Sequence, residues 1–193
     1  MKTVYLDIET KHLLEEFGSK DMRNCPKLKV AVAGTLCNDE YITWEEDMLM
    51  PMIKFLKTAD VIVGHNIFSF DYKVLGGYFQ FPEVILGTRQ VGIISKTFDT
   101  MTQFSHVIND KAMSWVSLDD IAKRNFGMHK PHDGKLIPQM WKDGYHGKVK
   151  EYLLNDLQMT EKFYLAGCKG TTIKYDHKTY GKSQGEKEIY IKW

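Results

Sequence analysis

Residues 4–10 read Val-Tyr-Leu-Asp-Ile-Glu-Thr, and their alternation decides the fold. Side chains on a strand alternate between its two faces, so over 3–8 Val4, Leu6 and Ile8 share one face. Tyr5, Asp7 and Glu9 share the other. The Val, Leu and Ile content is that of a central strand, which leaves two acids in apolar surroundings. A carboxylate moved from water to such a place loses several kcal/mol unless it is paired or bound to a cation.

Working outward, residues 10–27 are polar and irregular. Residues 28–36 (LKVAVAGTL) and 40–44 (EYITW) read as two strands joined by Cys37-Asn38-Asp39, so the first three strands form an antiparallel meander. A helix is expected over 46–58, with Met48, Met52, Ile53 and Leu56 near helical spacing. Residues 60–64 (DVIVG) are apolar and β-branched, as suits a buried parallel strand. A helix follows at 69–80, and 97–100 (TFDT) is a last short strand. Ser117 and Gly127 cap a helix between them. Residues 128–145 form a loop with a helical piece near 137–142. The longest helix covers 147–166 and is closed by Gly167. The tail, 173–192, reads as a β-hairpin around a Gly/Ser/Lys turn. This order predicts an α/β fold: a mixed sheet of three antiparallel strands plus parallel strands, with helices on both faces.

The 193 residues suit one ordinary domain, and 43% hydrophobic with 26% charged residues is the balance of a soluble globular chain. No apolar run approaches the ~20 residues that span a bilayer. The N-terminus meets Asp7 and Glu9 too soon for a signal peptide, so an intracellular (cytoplasmic) protein with no membrane partner is expected. Cys25, Cys37 and Cys168 show no zinc-site spacing and are expected to be reduced. The net charge of +1 hides a polarity: residues 1–100 hold 11 Lys+Arg against 14 Asp+Glu, and 101–193 hold 15 against 11. A basic second half could hold phosphates beside an acidic centre.

Each remaining acid has an ordinary reading and a chemical one. Asp7 and Glu9 could mark a solvated face, and Asp71 could lie on a helix surface. Asp71 also follows the strand 61–63 and the turn Gly64-His65-Asn66, where sites of α/β sheets collect. Tyr152 and Asp156 are four apart, stacked neighbours on the flank of the last helix's apolar stripe; the ordinary reading is a rim Asp bonded to Tyr152.

Taken together, Asp-x-Glu, then Asp, then Tyr-x-x-x-Asp resembles the DEDD (DnaQ-like, RNase H-like) superfamily of 3′–5′ exonucleases. LDIET (6–10) is similar to its first motif, GHNIFSFDYKVL (64–75) to its second and YLLNDLQMT (152–160) to its third. Tyr152, with Glu151 where the other branch carries histidine, assigns the tyrosine branch. SLDDIAKRNFG (117–127) resembles a helix of DNA polymerase proofreading domains. The resemblance covers about residues 1–167 and implies an RNase H-like exonuclease domain there, with 168–193 a hairpin extension packed on it.

The resemblance implies a free-standing exonuclease that hydrolyses single-stranded DNA from the 3′ end and releases nucleoside 5′-monophosphates. An exoribonuclease, an RNase H-like enzyme that cuts internally, and a non-catalytic nucleic-acid-binding domain are the alternatives. It implies two divalent cations, Mg²⁺ or Mn²⁺, held by Asp7, Glu9, Asp71 and Asp156, with Tyr152 orienting the attacking water. It also implies strand contacts from the motif residues Thr10, His65, Asn66 and Phe70, and from Phe68; the ordinary reading of Phe68 and Phe70 is core, and at least one of them is expected there. Lys123, Arg124, Lys130, Lys135 and the tail lysines are candidate phosphate contacts. A polymerase or repair factor is a candidate protein partner.

Overall fold

The computed structural model describes residues 1–79, 92–108, 116–179 and 182–193. Its sheet has five strands in the order β3-β2-β1-β4-β5, formed by Thr3–Thr10 (β1), Val30–Cys37 (β2), Glu40–Trp44 (β3), Val61–Gly64 (β4) and Thr97–Asp99 (β5). β1–β2 and β2–β3 run antiparallel, and β1–β4 and β4–β5 run parallel, the mixed sheet expected from the sequence. Asn38 and Asp39, both at positive φ, make the two-residue turn between β2 and β3. β2 begins at Val30 rather than 28 because Lys29 takes φ 56° and turns the chain.

The alternation of β1 sorts the core into two layers. Val4, Leu6 and Ile8 pack with Met52, Ile53 and Leu56 of helix α1 (Leu49–Lys57) and with Tyr72, Val74 and Leu75 of helix α2 (Asp71–Leu75). Tyr5 and Val32 face the other way, onto Val149, Tyr152, Leu153 and Leu157 of the long helix and Ile137 before it. Helices therefore cover both faces.

Several boundaries differ from the sequence reading. The 46–58 helix starts as a single 3₁₀ turn, Glu46–Met48, before α1. α2 spans only Asp71–Leu75 because Gly76 and Gly77 follow, and a Cβ on Gly77 would lie 2.2 Å from the Pro26 carbonyl oxygen; residue 80, the end expected for this helix, lies outside the described residues. Thr100–Val107 forms a helix, α3, where none was expected. α4 (Leu118–Phe126) and α5 (Ile137–Lys142) are as expected, with Ser117 Oγ accepting from Asp120 N at 3.1 Å and Gly127 in the left-handed region. The long helix α6 (His146–Lys169) continues through Gly167 to end at Gly170. Gly167 serves packing instead of termination: a Cβ there would lie 2.0 Å from the Trp193 indole.

The hairpin strands, β6 (Thr171–Thr179) and β7 (Lys182–Ile191), close a third apolar cluster: Ile173, Tyr175 and Ile191 pack with Phe104, Leu118, Ile121 and Phe163. The hairpin turn at 180–181 lies outside the described residues. Among the described residues, no helix is long and apolar enough to cross a membrane.

Candidate metal centre

β1 outruns its parallel neighbour. Tyr5 pairs with Val63 near the end of β4, so Asp7 and Glu9 extend past the last β1–β4 pair, where a crevice opens. On the antiparallel side Asp7 lies opposite Gly34. A Cβ on Gly34 would come within 2.9 Å of the Leu153 and Leu157 side chains, so the glycine lets α6 settle closely on the sheet beside Asp7. One turn of α6 then brings Tyr152 and Asp156 over the two strand acids. Asp7, Glu9 and Asp156 each offer a carboxylate oxygen within 4.8 Å of the others, a cluster able to hold a metal ion.

The electrostatics agree. Asp7 and Glu9 are half-buried, and Asp71 and Asp156 are 2% and 5% exposed. Burial pushes the Glu9 carboxyl well above its usual range, and the charges of Asp7 and Asp156 push it further. Burial does the same to Asp71 at the start of α2, with Asp7 the leading charge; Asp71 stands outside the three-acid cluster and does not line the cleft. Burial also raises Asp7. Asp156 is raised to about 7, by burial first, with Lys130 opposing and Asp7 adding to the rise. Asp71 Oδ1 and Asp156 Oδ1 are buried without a hydrogen bond to any described residue. Buried carboxylate oxygens that lack donors are what a hard cation requires.

A lysine stands among these acids. Lys130 Nζ forms an ion pair with Asp156 Oδ2 and donates to the Tyr152 hydroxyl oxygen at 3.0 Å. Its backbone N–H donates to Asp119 Oδ1 at 2.6 Å, and Asn155 Nδ2 donates to the neighbouring His129 carbonyl at 3.1 Å, which fixes the loop on both sides. Burial disfavours the ammonium, but Asp156 and Tyr152 outweigh it and hold Lys130 protonated beyond its usual range. Burial and Asp156 raise Tyr152, so its phenol is protonated at neutral pH.

A cleft of about 330 Å³ opens beside the cluster, lined by Asp7, Asp156 and Lys130, by His65 and Asn66, and by Met101 with residues 116–119. His65 Nδ1 lies 2.9 Å from Thr100 Oγ1, and burial lowers its imidazole to about 4, so it is neutral at pH 7. Asn66 sits at φ 65°, and its Oδ1 is buried with no hydrogen-bond partner among the described residues.

Five of the expected contacts lie elsewhere, and none of the five lines the cleft. Thr10 is buried and its hydroxyl donates to the His12 carbonyl. Phe70 packs against the core layer of α1 and α2, and Phe68, 37% exposed, meets Tyr72 edge-on. Lys123 is exposed, and Arg124 is engaged by Asp120 and Glu186 at 2.7 and 2.6 Å. Lys130, expected on phosphate, lies against Asp156. Asp99, which sequence reasoning passed over, receives backbone N–H groups from the 66–68 turn and from α3. Its signal was the Asp-Thr pair at the end of a strand, a helix start.

No family model matches the chain, and no curated protein matches it in sequence. Among solved structures, it is similar to the family B DNA polymerase from the hyperthermophilic archaeon Pyrobaculum calidifontis. The TM-score is 0.59 at 19% identity, over 86% of this chain and 24% of the polymerase chain. The likeness shows the fold: that of one portion of a DNA polymerase, a mixed α/β sheet consistent with an RNase H-like domain.

Proposed function

We propose that this chain is a metal-dependent 3′–5′ exonuclease of the tyrosine branch of the DEDD superfamily, acting on single-stranded DNA. The observation that carries the reading is the convergence of Asp7, Glu9 and Asp156 in one cluster, with Asp7 and Asp156 lining the cleft and Tyr152 one helical turn before Asp156. The order and spacing of the three motifs and the fold shared with a DNA polymerase support it.

The residues fit a pair of hard divalent cations, Mg²⁺ or Mn²⁺, because every donor is a carboxylate oxygen and two of those oxygens lack a partner among the described residues. Asp7, Glu9 and Asp156 would hold one, and Asp7 with Asp71 the other. When bound, such ions lower the pKa of a coordinated water and neutralise charge on the leaving oxygen.

The protein's own groups do the rest. Tyr152 keeps its proton at neutral pH and accepts from Lys130, which leaves its O–H free to orient the water that attacks phosphorus. Water adds to phosphorus, the P–O3′ bond of the penultimate nucleotide breaks, and a nucleoside 5′-monophosphate leaves. Lys130, protonated, offsets one negative charge of the cluster. His65 stays neutral, and Asn66 offers the terminal nucleotide a side-chain carbonyl that has no donor among the described residues.

The test is incubation with Mg²⁺ or Mn²⁺ and 5′-labelled DNA or RNA, single- or double-stranded. A ladder shortening by single nucleotides from the 3′ end of single-stranded DNA is expected. Cleavage that ignores a blocked 3′ end would assign an endonuclease, and stronger cleavage of RNA an exoribonuclease.

A further inference from the structure

We infer that Asp99 is a positioning residue, one whose buried carboxylate holds the 65–68 turn in the form that receives the 3′-terminal nucleotide. This rests on the exonuclease reading. Asp99 ends β5, opposite Gly64 at the end of β4, and is 2% exposed. Its Oδ1 accepts from Met101 N at 3.0 Å and Thr102 N at 3.2 Å, as the N-cap of α3. The same oxygen accepts from Asn66 N at 2.9 Å, and Oδ2 accepts from Phe68 N at 3.3 Å.

A helix cap alone would need no more than serine or asparagine. Asp99 differs in having two acceptor oxygens and a full charge. Both oxygens are used: Oδ1 joins α3 to Asn66, and Oδ2 takes the Phe68 N–H of the same turn. The anchored turn is not a relaxed one. Asn66 is at φ 65°, a region that a non-glycine residue enters at some cost. Its N–H bond to Asp99 offsets that cost and fixes where the side chain goes. The result is an Asn66 Oδ1 that lies buried at the cleft with no donor among the described residues. Thr100 completes the arrangement, donating to the Gly64 carbonyl at 3.2 Å and meeting His65 Nδ1. A carboxylate outside the cleft wall thus sets Asn66 within it, while the adjacent Thr100 meets His65.

The test compares Asp99→Ser, Asp99→Asn, Asn66→Ala and the Asp99→Ser/Asn66→Ala double variant. Serine keeps the α3 cap and releases the turn. Asparagine keeps the Oδ1 acceptor and sets an amide N–H against Phe68 N–H. The readouts are anisotropy of a dye-labelled oligothymidylate with a free 3′ hydroxyl in EDTA, KM and kcat, and Mn²⁺ affinity. Asp99→Ser should weaken strand binding and raise KM about tenfold, the loss of one charge-assisted bond, with kcat and Mn²⁺ affinity little changed. Asp99→Asn should fall between it and the wild type, and the double variant should match Asn66→Ala.

Wild-type binding in Asp99→Ser, additive effects in the double variant, or a parallel loss of Mn²⁺ affinity would each overturn the inference. If the wild type binds the strand without cleaving it, the exonuclease reading alone fails and the binding arm still decides on Asp99. If it neither binds nor cleaves, both fail.

Discussion

Lys130 Nζ lies 3.0 Å from the Tyr152 hydroxyl and forms an ion pair with Asp156, so one ammonium stands on the α6 side of the acid cluster. It cancels part of the repulsion among Asp7, Glu9, Asp71 and Asp156, and it also competes with any cation that would use Asp156.

That competition has a measurable sign. Lys130→Met leaves Asp156 without its counter-charge, and in EDTA the variant should lose about 2–3 kcal/mol of stability. This is less than the ~3–5 of a fully buried pair, because the Lys130 side chain is 29% exposed. The rise in Tm on adding Mg²⁺ should then exceed that of the wild type. A smaller rise would show that Lys130 supports the cation's site instead of contesting it.

Gly34 tests the support beneath the site. A methyl at 34 would meet Leu153 and Leu157 at 2.9 Å, and packed helix and sheet must separate to admit it. Gly34→Ala should cost about 1–3 kcal/mol. Because the displaced helix carries Asp156 and residue 34 faces Asp7, Mn²⁺ affinity should fall along with stability. Chemical denaturation and a Mn²⁺ titration measure the two effects. Lowered stability with unchanged affinity would mean that the helix does not move.

The first strand made the fold readable, because a period of two with apolar residues on one face and acids on the other specifies both a central strand and the side of the sheet that bears the site. The spacing of Tyr152 and Asp156 was readable for the same reason, since helical geometry fixes which residues are neighbours. Contacts between segments distant in sequence were not. Gly167 resembles a helix stop, but Trp193, 26 positions later, makes it a packing residue. Lys130 is one of many lysines until the loop bearing it is pinned by Asp119 and Asn155. Phe70 lies in an apolar motif whose direction depends on which layer α2 covers. Asp99 joins two segments that only strand pairing brings together.

The dependence of stability on pH should reveal the acid cluster without any assay of activity. Asp156 is raised from its ordinary carboxylate value to about 7, so between about pH 4 and 7 the folded protein binds a proton that the unfolded chain releases. This contribution is full below pH 4 and is lost as pH rises through 7. Glu9 and Asp71 are shifted in the same direction. In EDTA, Tm should therefore decline across that window, and the increment from Mg²⁺ should grow. Asp156→Asn should flatten both trends. An increment independent of pH would show that the cation does not bind these carboxylates.

Asp7 and Tyr152 separate holding a cation from handling water. Asp7→Asn removes a charge from a mutually repelling set, so its stability in EDTA should equal or exceed the wild type's, while stabilisation by Mn²⁺ and cleavage of single-stranded DNA both vanish. Tyr152→Phe removes only the hydroxyl. Mn²⁺ should still stabilise that variant, and single-turnover cleavage should slow by about a hundredfold, the usual scale for one positioned proton-handling group. Full-rate cleavage by Tyr152→Phe would remove the tyrosine from the mechanism. Residual cleavage by purified Asp7→Asn with bound Mn²⁺ would move the metal site away from β1.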